Sequence, residues 1–272
     1  MKHLLSIAEL SADDVEQIFQ QARTLKNGAQ PSFPNSTIAY SFEGNSLRTR
    51  ATFLKAMVSL GTTSIELPNL LKTKENKRHL AGYMDQWIDM YVIRESDHVA
   101  IETFAHASQH PVVNAMSAQE HPCEILSDAF YLQERFGSLQ GLKFCIVGRT
   151  TNVLRSWREF CELFRLEYIL VMPEMEDRLG AARVTKSLQE GLQNSNIILT
   201  DNWGGEVFDK NYQVTLNSLQ FAARGALVIP CPPFDTNREV HQDVIESKYF
   251  VGYEQKRDLY FVHKAILTCL LA

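Results

Sequence analysis

Residues 40–52 read YSFEGNSLRTRAT, and the change of character along this stretch decides the fold. Tyr40 to Phe42 close an apolar, β-prone run that begins at Thr37. Glu43, Gly44 and Asn45 have the composition of a short turn. Ser46, Leu47, Arg48, Thr49 and Arg50 then open a helix. Its body is predicted over Thr49–Leu60, with Phe53, Leu54, Met57 and Val58 inward at helical spacing. A strand that runs through a tight turn into a helix is the building unit of parallel sheets, because a parallel neighbour can be reached only by a crossover.

Outward from this unit the same alternation recurs. On the N-terminal side, Ser11 with Asp13 and Asp14 forms a helix start whose acids suit the helix dipole. Val15, Ile18, Phe19, Ala22 and Leu25 supply one apolar face, and Lys26 with Gly28 ends it. On the C-terminal side, strands are predicted at Ser64–Leu67, Asp89–Arg94 and Val112–Ala115, with helices near Glu75–Gln86, Val99–Ser108 and Pro122–Phe136. After Gly137 the pattern restarts with strands at Lys143–Gly148, Tyr168–Met172, Asn196–Thr200 and Ala226–Pro230, and the mostly apolar Leu259–Leu271 reads as a packed helix. The expected fold class is therefore α/β, with two doubly wound domains of parallel sheet joined near Gly137–Gly141.

Bulk properties narrow the function. A chain of 272 residues exceeds one average domain, and its 45% apolar and 22% charged residues are ordinary for a globular protein. A net charge of -5 argues against nonspecific binding to nucleic acid or to a membrane. The apolar runs are far shorter than the roughly 20 residues of a spanning helix. MKHLLSIAELSADD meets acid before any signal-like apolar core forms, so a cytoplasmic location is expected. Five cysteines, at 123, 145, 161, 231 and 269, are an odd number without a CxxC pair, which fits reduced thiols and predicts no metal site.

Four places could carry chemistry. The start of the helix after Phe42 suits an anion, because free amides, the helix dipole, hydroxyls and a guanidinium converge there; the same letters also fit an ordinary N-cap followed by two surface arginines. In EHPCEILSD (120–128), His121 stands before Pro122 at a predicted first helical position, as an oxyanion donor or as a structural cap. Arg94 ends a predicted strand, where open α/β sheets place ligands; it could also pair with Glu95 or Asp97. Cys231, in IPCPPF, reads as a small hydrophobe or as a nucleophile lacking a recognisable base. VGRTTN (147–152) lacks GxGxxG, which argues against a nicotinamide-dependent oxidoreductase.

Taken in order, these pieces resemble the aspartate/ornithine transcarbamylase family from about His3 to Leu271. HLLSIAELS is similar to the opening of ornithine transcarbamylases, and SFEGNSLRTR resembles FExxSTRTR. EHPCEILSD resembles HPxQxLxD, VGRTTNVLRS resembles GDGNNVAHS, and TDNW resembles TDxW. IPCPPF is similar to the HCLP motif, and Leu259–Leu267 to a closing helix ending HVQKALL. The resemblance implies a carbamoyl-phosphate-binding domain at 1–137, completed by a C-terminal helix at 258–272 that packs back on it. It also implies an acceptor-binding domain at 138–257. Ser46, the Leu47 backbone, Arg48 and Thr49 would cradle the phosphate, while Arg94 and His121 hold the carbonyl oxygen, making Arg94, His121 and Arg48 the catalytic set. Glu124 would face the carbamoyl group. Asn152 would hold the acceptor's α-carboxylate and Asp201 its α-amino group, with Cys231 and Pro232 beside them. The family further implies a homotrimer with shared active sites, Lys72 or Lys74 entering from the neighbour, and neither cofactor nor metal.

This sequence departs from the family pattern at named places. Leu47 replaces threonine, as in the acetylornithine and succinylornithine branch. Glu124 replaces glutamine and brings negative charge toward a phosphate dianion, which Arg48, Arg50 and Arg94 would have to offset. TDNWGGE lacks the Ser-Met-Gly element and its loop is short. Prolines flank Cys231, and Leu259 stands where an arginine is common. The implied activity is transfer of a carbamoyl group to an ornithine-like or acylated diamino acid, with an acceptor other than ordinary ornithine favoured. The alternative is a non-catalytic paralogue that binds or regulates.

Overall fold

The structure, a computed structural model, describes residues 1–173, 183–203 and 208–272. These form two compact units, Met1–Tyr131 with Lys256–Ala272, and Leu132–Gln255.

In chain order the first unit contains α1 (Ala12–Lys26), β1 (Thr37–Phe42), α2 (Leu47–Ser59), β2 (Thr63–Glu66), α3 (Lys77–Met84), β3 (Met90–Arg94), α4 (His98–Ala107), β4 (Val112–Met116) and the start of α5 (Pro122–Phe136). The second contains β5 (Lys143–Val147), α6 (Asn152–Leu163), β6 (Glu167–Val171), β7 (Arg183–Thr185), α7 (Leu188–Leu192), β8 (Ile197–Thr200), α8 (Leu216–Leu219), β9 (Leu227–Pro230) and α9 (Gln242–Ile245). The chain then returns to the first unit as α10 (Lys256–Leu271).

Both sheets are wholly parallel among the described residues, in the orders β2-β1-β3-β4 and β7-β6-β5-β8-β9. The interior strands β3 and β8 are buried almost throughout, as strands covered on both faces must be, whereas edge strand β2 is exposed along its whole length. The opening residues extend the first sheet: Leu4 pairs with Val113 beside β4.

α1 forms where its sequence requires. Ser11 and Asp14 make a reciprocal capping box, and Val15, Ile18, Phe19, Ala22 and Leu25 are all buried. α10 packs on α1 and α2, so the closing helix does lie on the first unit, and Lys26 pairs with Asp258 at 2.8 Å between α1 and α10. One inward assignment is corrected here. Val58 is 75% exposed, because the stripe of α2 facing inward is Thr49, Phe53, Ala56 and Met57. Position 58 lies about 100° further round the helix from Met57.

No helix among the described residues is long and apolar enough to cross a membrane.

Candidate functional site

In an open parallel sheet, ligands are received at the carboxyl ends of strands where the strand order reverses, because the two crossovers there leave in opposite directions and open a crevice. The first sheet reverses between β1 and β3, and the second between β5 and β8. Ser46 to Thr49, Arg94, Asn152 and Asp201 lie at one of these two places or on the helix that follows, whereas His121 and Glu124 follow β4, Lys72 and Lys74 follow β2, and Cys231 and Pro232 follow β9.

At the β1/β3 crevice Phe42 is in register with Arg94, and the Glu43 amide donates to the Arg94 carbonyl at 2.9 Å. The turn into α2 is unusual. Ser46 is left-handed (φ 43°), a conformation costly to residues with a β-carbon, and its hydroxyl donates to the Glu43 carbonyl at 2.6 Å instead of capping the helix. The first helical bond runs from the Arg50 amide to the Ser46 carbonyl at 2.8 Å, so the amides of residues 47 to 49 precede the ladder. Leu47 and Arg48 are exposed at this end, whereas Thr49 is buried and accepts from Arg94 Nη1 at 3.1 Å. Arg94 is thus turned to α2. Its sequence neighbours have other partners: Glu95 accepts from Lys72 Nζ at 2.6 Å, and Asp97 caps α4. Lys72 also lies 3.3 Å from Glu43, while Lys74 is exposed. Arg50 pairs with Glu66 of β2 at 2.5 Å and donates to the Phe42 carbonyl at 3.4 Å.

α5 begins at Pro122, so His121 stands just ahead of the helix, as its sequence predicts. The imidazole is buried, and burial pushes its pKa down to about 4. Glu124 opposes the shift, and Arg94 and Lys256 add to it. The ring is therefore neutral near pH 7 and carries one N–H, the state suited to hydrogen-bonding a carbonyl without adding charge. The neighbouring Cys123 is fully buried with its thiol pushed up by burial, which leaves it inert.

Glu124 has a partner that was not foreseen. Lys256, the first residue of α10, donates to Glu124 Oε1 and, at 2.9 Å, to Asp128 Oδ1. All three groups are largely withdrawn from solvent. Burial alone would raise Glu124, but Lys256 and then His121 hold it well below the ordinary carboxylate range; Asp128, one turn on, is pushed up by burial. The charge that Glu124 brings is thus met by Lys256. His263 completes this layer. It stacks on Phe53 at 3.8 Å between ring centroids, contacts Thr52 Oγ1 at 2.9 Å, and is pushed down to about 3 by burial. A signal for Lys256 was present in the sequence: it lies three residues, about one helical turn, before Leu259, where an arginine is expected.

At the β5/β8 crevice, Val147 is in register with Thr200, so the segments leaving the two strands start side by side. One carries Gly148 and then Thr151, which caps α6 by accepting from the Leu154 amide at 3.2 Å. Asn152 is the first helical residue. The other carries Asp201 and the buried Trp203. Gly148 has φ 138°, and a β-carbon on it would lie 3.2 Å from Leu154 and 3.5 Å from the Trp203 indole nitrogen, so glycine permits the two segments to approach. β9 adds the third side: the Cys231 amide donates to the Thr200 carbonyl at 2.9 Å, and Pro232 follows. Cys231 is buried. The sequence reading also missed Glu239. Its fully buried carboxylate accepts from the Trp203 amide at 3.0 Å and from the Asp235 amide at 3.1 Å, clasping the segments after β8 and β9. A lone glutamate in a loop gives no sequence signal for such a role. The shortened acceptor loop after Trp203, at 204–207, lies outside the described residues.

Residues 2–134 match the family described as aspartate/ornithine carbamoyltransferase, carbamoyl-P binding domain, and residues 140–270 match its Asp/Orn binding domain. The ornithine carbamoyltransferase of Methanopyrus kandleri is 31% identical, over 99% of this chain and 97% of that protein. That of Nostoc punctiforme is 29% identical, over 99% and 97%. Among solved structures, ornithine carbamoyltransferase from Thermus thermophilus superposes with a TM-score of 0.91 at 26% identity, covering 100% of this chain and 99% of that one.

Proposed function

The chain belongs to the aspartate/ornithine carbamoyltransferase family, and from that premise we propose that it is an enzyme moving the carbamoyl group of carbamoyl phosphate to the amine of an ornithine-like or acylated diamino acid, releasing phosphate. The first unit, with its C-terminal helix, receives carbamoyl phosphate, and the second receives the amino acid. One observation carries the reading: Arg94 is fastened to Thr49 at the open N-terminus of α2, on the strand-order reversal of the first sheet.

The phosphate lies against Ser46, the Leu47 amide, Arg48 and Thr49, where a helix N-terminus favours an anion. Arg94 and neutral His121 donate to the carbamoyl oxygen. As the acceptor amine attacks the carbamoyl carbon, the C–N bond forms, the C–O bond to phosphate breaks, negative charge passes through that oxygen onto the leaving phosphate, and the phosphate takes up the proton that the amine nitrogen gives up. Donors already aimed at the oxygen lower this barrier without reorganising. Holding two substrates in line supplies the remainder, and the chemistry calls for no cofactor, metal or covalent intermediate. Asn152 takes the acceptor's α-carboxylate and Asp201 its ammonium, with Cys231 and Pro232 bounding the side-chain end. The family relationship further supports a cytoplasmic homotrimer with shared sites that Lys72 or Lys74 enters from a neighbour. Exposed Val58, Tyr83, Trp87 and Val99 on the first unit suit self-association. The reading as a non-catalytic paralogue rests on Glu124 and the short acceptor loop, and Lys256 removes the first of these grounds.

Calorimetric titration with carbamoyl phosphate tests the proposal, with Arg48→Ala alongside. Binding by the wild type that disappears in the variant supports the phosphate cradle, and amines are then screened for ureido products. Absence of binding by the wild type would overturn the reading.

A further inference from the structure

The buried cluster of Glu124, Asp128 and Lys256 is not explained by the needs of the helices that carry it. Glu124 and Asp128 sit one turn apart on the same face of α5, where two buried carboxylates repel. Lys256 is the first residue of α10, the end at which a helix dipole disfavours a cation. A lysine held there against the dipole, and largely out of water, owes its place to the acids across from it.

Of the two acids, Glu124 is the one beside the candidate site. It follows His121 by three residues, and Glu124, Arg94 and Lys256 all act electrostatically on the buried imidazole. Lys256 occupies Oε1 of Glu124; among the described residues no hydrogen bond reaches Oε2.

We propose that Lys256 is a positioning residue for the carbamoyl donor: by neutralising Glu124 and fixing its carboxylate, it makes Oε2 an acceptor-only partner for the carbamoyl NH2. This inference rests on the functional reading above. A glutamine amide at 124 would present either an acceptor or a donor to the substrate, depending on how it is turned. A carboxylate presents only acceptors, so the flat carbamoyl group is forced to lie with its NH2 toward Glu124 and its oxygen toward Arg94 and His121. Without Lys256 a buried Glu124 would take up a proton, become a possible donor, and lose this discrimination. The pair Glu124–Lys256 therefore does in charged form what a neutral amide does less selectively, and it keeps the negative charge from opposing the phosphate. Acetyl phosphate, which has a methyl group in place of the NH2, is the probe that isolates the contact.

The experiment compares carbamoyl phosphate and acetyl phosphate by calorimetry on the wild type, Lys256→Met and the double variant Glu124→Gln/Lys256→Met, each checked by thermal melting. Lys256→Met is expected to lose at least about tenfold in affinity for carbamoyl phosphate and little for acetyl phosphate. The double variant, whose neutral amide needs no counter-charge, is expected to recover most of that loss. Equal losses for both ligands, or no loss, overturn the inference, as does a double variant as weak as Lys256→Met. If Lys256→Met does not fold, Lys256→Arg against Lys256→Gln makes the same comparison of charge kept with charge removed. A wild type that binds neither phosphate overturns the functional reading itself, and the inference falls with it. A wild type that binds carbamoyl phosphate while the variants keep its preference overturns the inference alone.

Discussion

The two strand-order reversals, β1/β3 in the first unit and β5/β8 in the second, are built alike and equipped differently. In each, two parallel strands deliver their following segments side by side and a helix N-terminus opens onto the gap. In the first unit the chemical groups are tied to one another: Arg94 to Thr49 at β1/β3, Lys256 to Glu124 and Asp128 between α10 and α5, and His263 to Thr52 between α10 and α2. At β5/β8 a buried carboxylate holds the frame, with Glu239 clasping the amides of Trp203 and Asp235. Interlocked groups cannot change singly. An uncompensated Glu124 would leave a buried charge, and in this chain Lys256, on a different helix, meets it. Departures from the family pattern occur on both sides, Leu47 and Glu124 in the first unit and TDNWGGE with the prolines flanking Cys231 in the second.

The largest test of this difference is Arg94→Ala. Removing a donor aimed at the reacting oxygen should lower carbamoyl transfer by roughly a hundredfold to a thousandfold, with kcat falling rather than KM for the acceptor rising. Steady-state kinetics with both substrates varied would read this. An unchanged kcat would remove Arg94 from the chemistry.

A second test concerns acid. His121 and His263 are held down at about 4 and about 3, chiefly by burial, against 6.5 in the unfolded chain. The unfolded state then binds more protons as pH falls below 6.5, so the stability they give is complete above 6.5 and is lost on the way down to the folded values. Each contributes a slope of about 1.4 kcal/mol per pH unit. Asp128, raised to about 6, works in the opposite sense between that value and 3.8 and cancels part of the slope. His263→Gln should flatten the acid limb of the denaturation midpoint between pH 6.5 and 4, and an unaltered limb would show that His263 does not stay neutral.

The frame of the second unit gives the third. A β-carbon on Gly191 of α7 would lie 2.0 Å from the Val171 side chain and 3.1 Å from the Cys145 sulfur. Gly191→Ala should cost about 1–3 kcal/mol by overpacking, seen as a lower melting temperature, while affinity for carbamoyl phosphate in the folded protein is retained. Loss of that affinity at unchanged stability would break the separation between frame and donor site.

Thr49→Val is the smallest. It removes only the oxygen that accepts from Arg94, and should weaken carbamoyl phosphate binding by about 1 kcal/mol. An effect as large as that of Arg94→Ala would mean that the hydroxyl itself meets the ligand.

Much of this molecule follows from local sequence. The alternation of short apolar runs with helical patterns determined two parallel α/β units, since periodicity is a property of neighbours along the chain. The acidic start of α1 at Ser11 and Asp14, its apolar face, the short turn ahead of α2 and the proline start of α5 were legible for the same reason, whereas the left-handed Ser46 was not. Residue types in motif order placed Arg94, His121, Asn152 and Asp201 at strand ends and helix starts. The tertiary structure alone decided what depends on residues far apart in the chain. Val58 faces outward because α10, not helical spacing, chose which side of α2 is covered. Arg50 is engaged by Glu66 because β2 lies beside β1. Glu124 is paired because Lys256, 132 residues later, arrives on the helix that closes the first unit. A charge's cost or benefit is set by what surrounds it in space, and no local pattern records that surrounding.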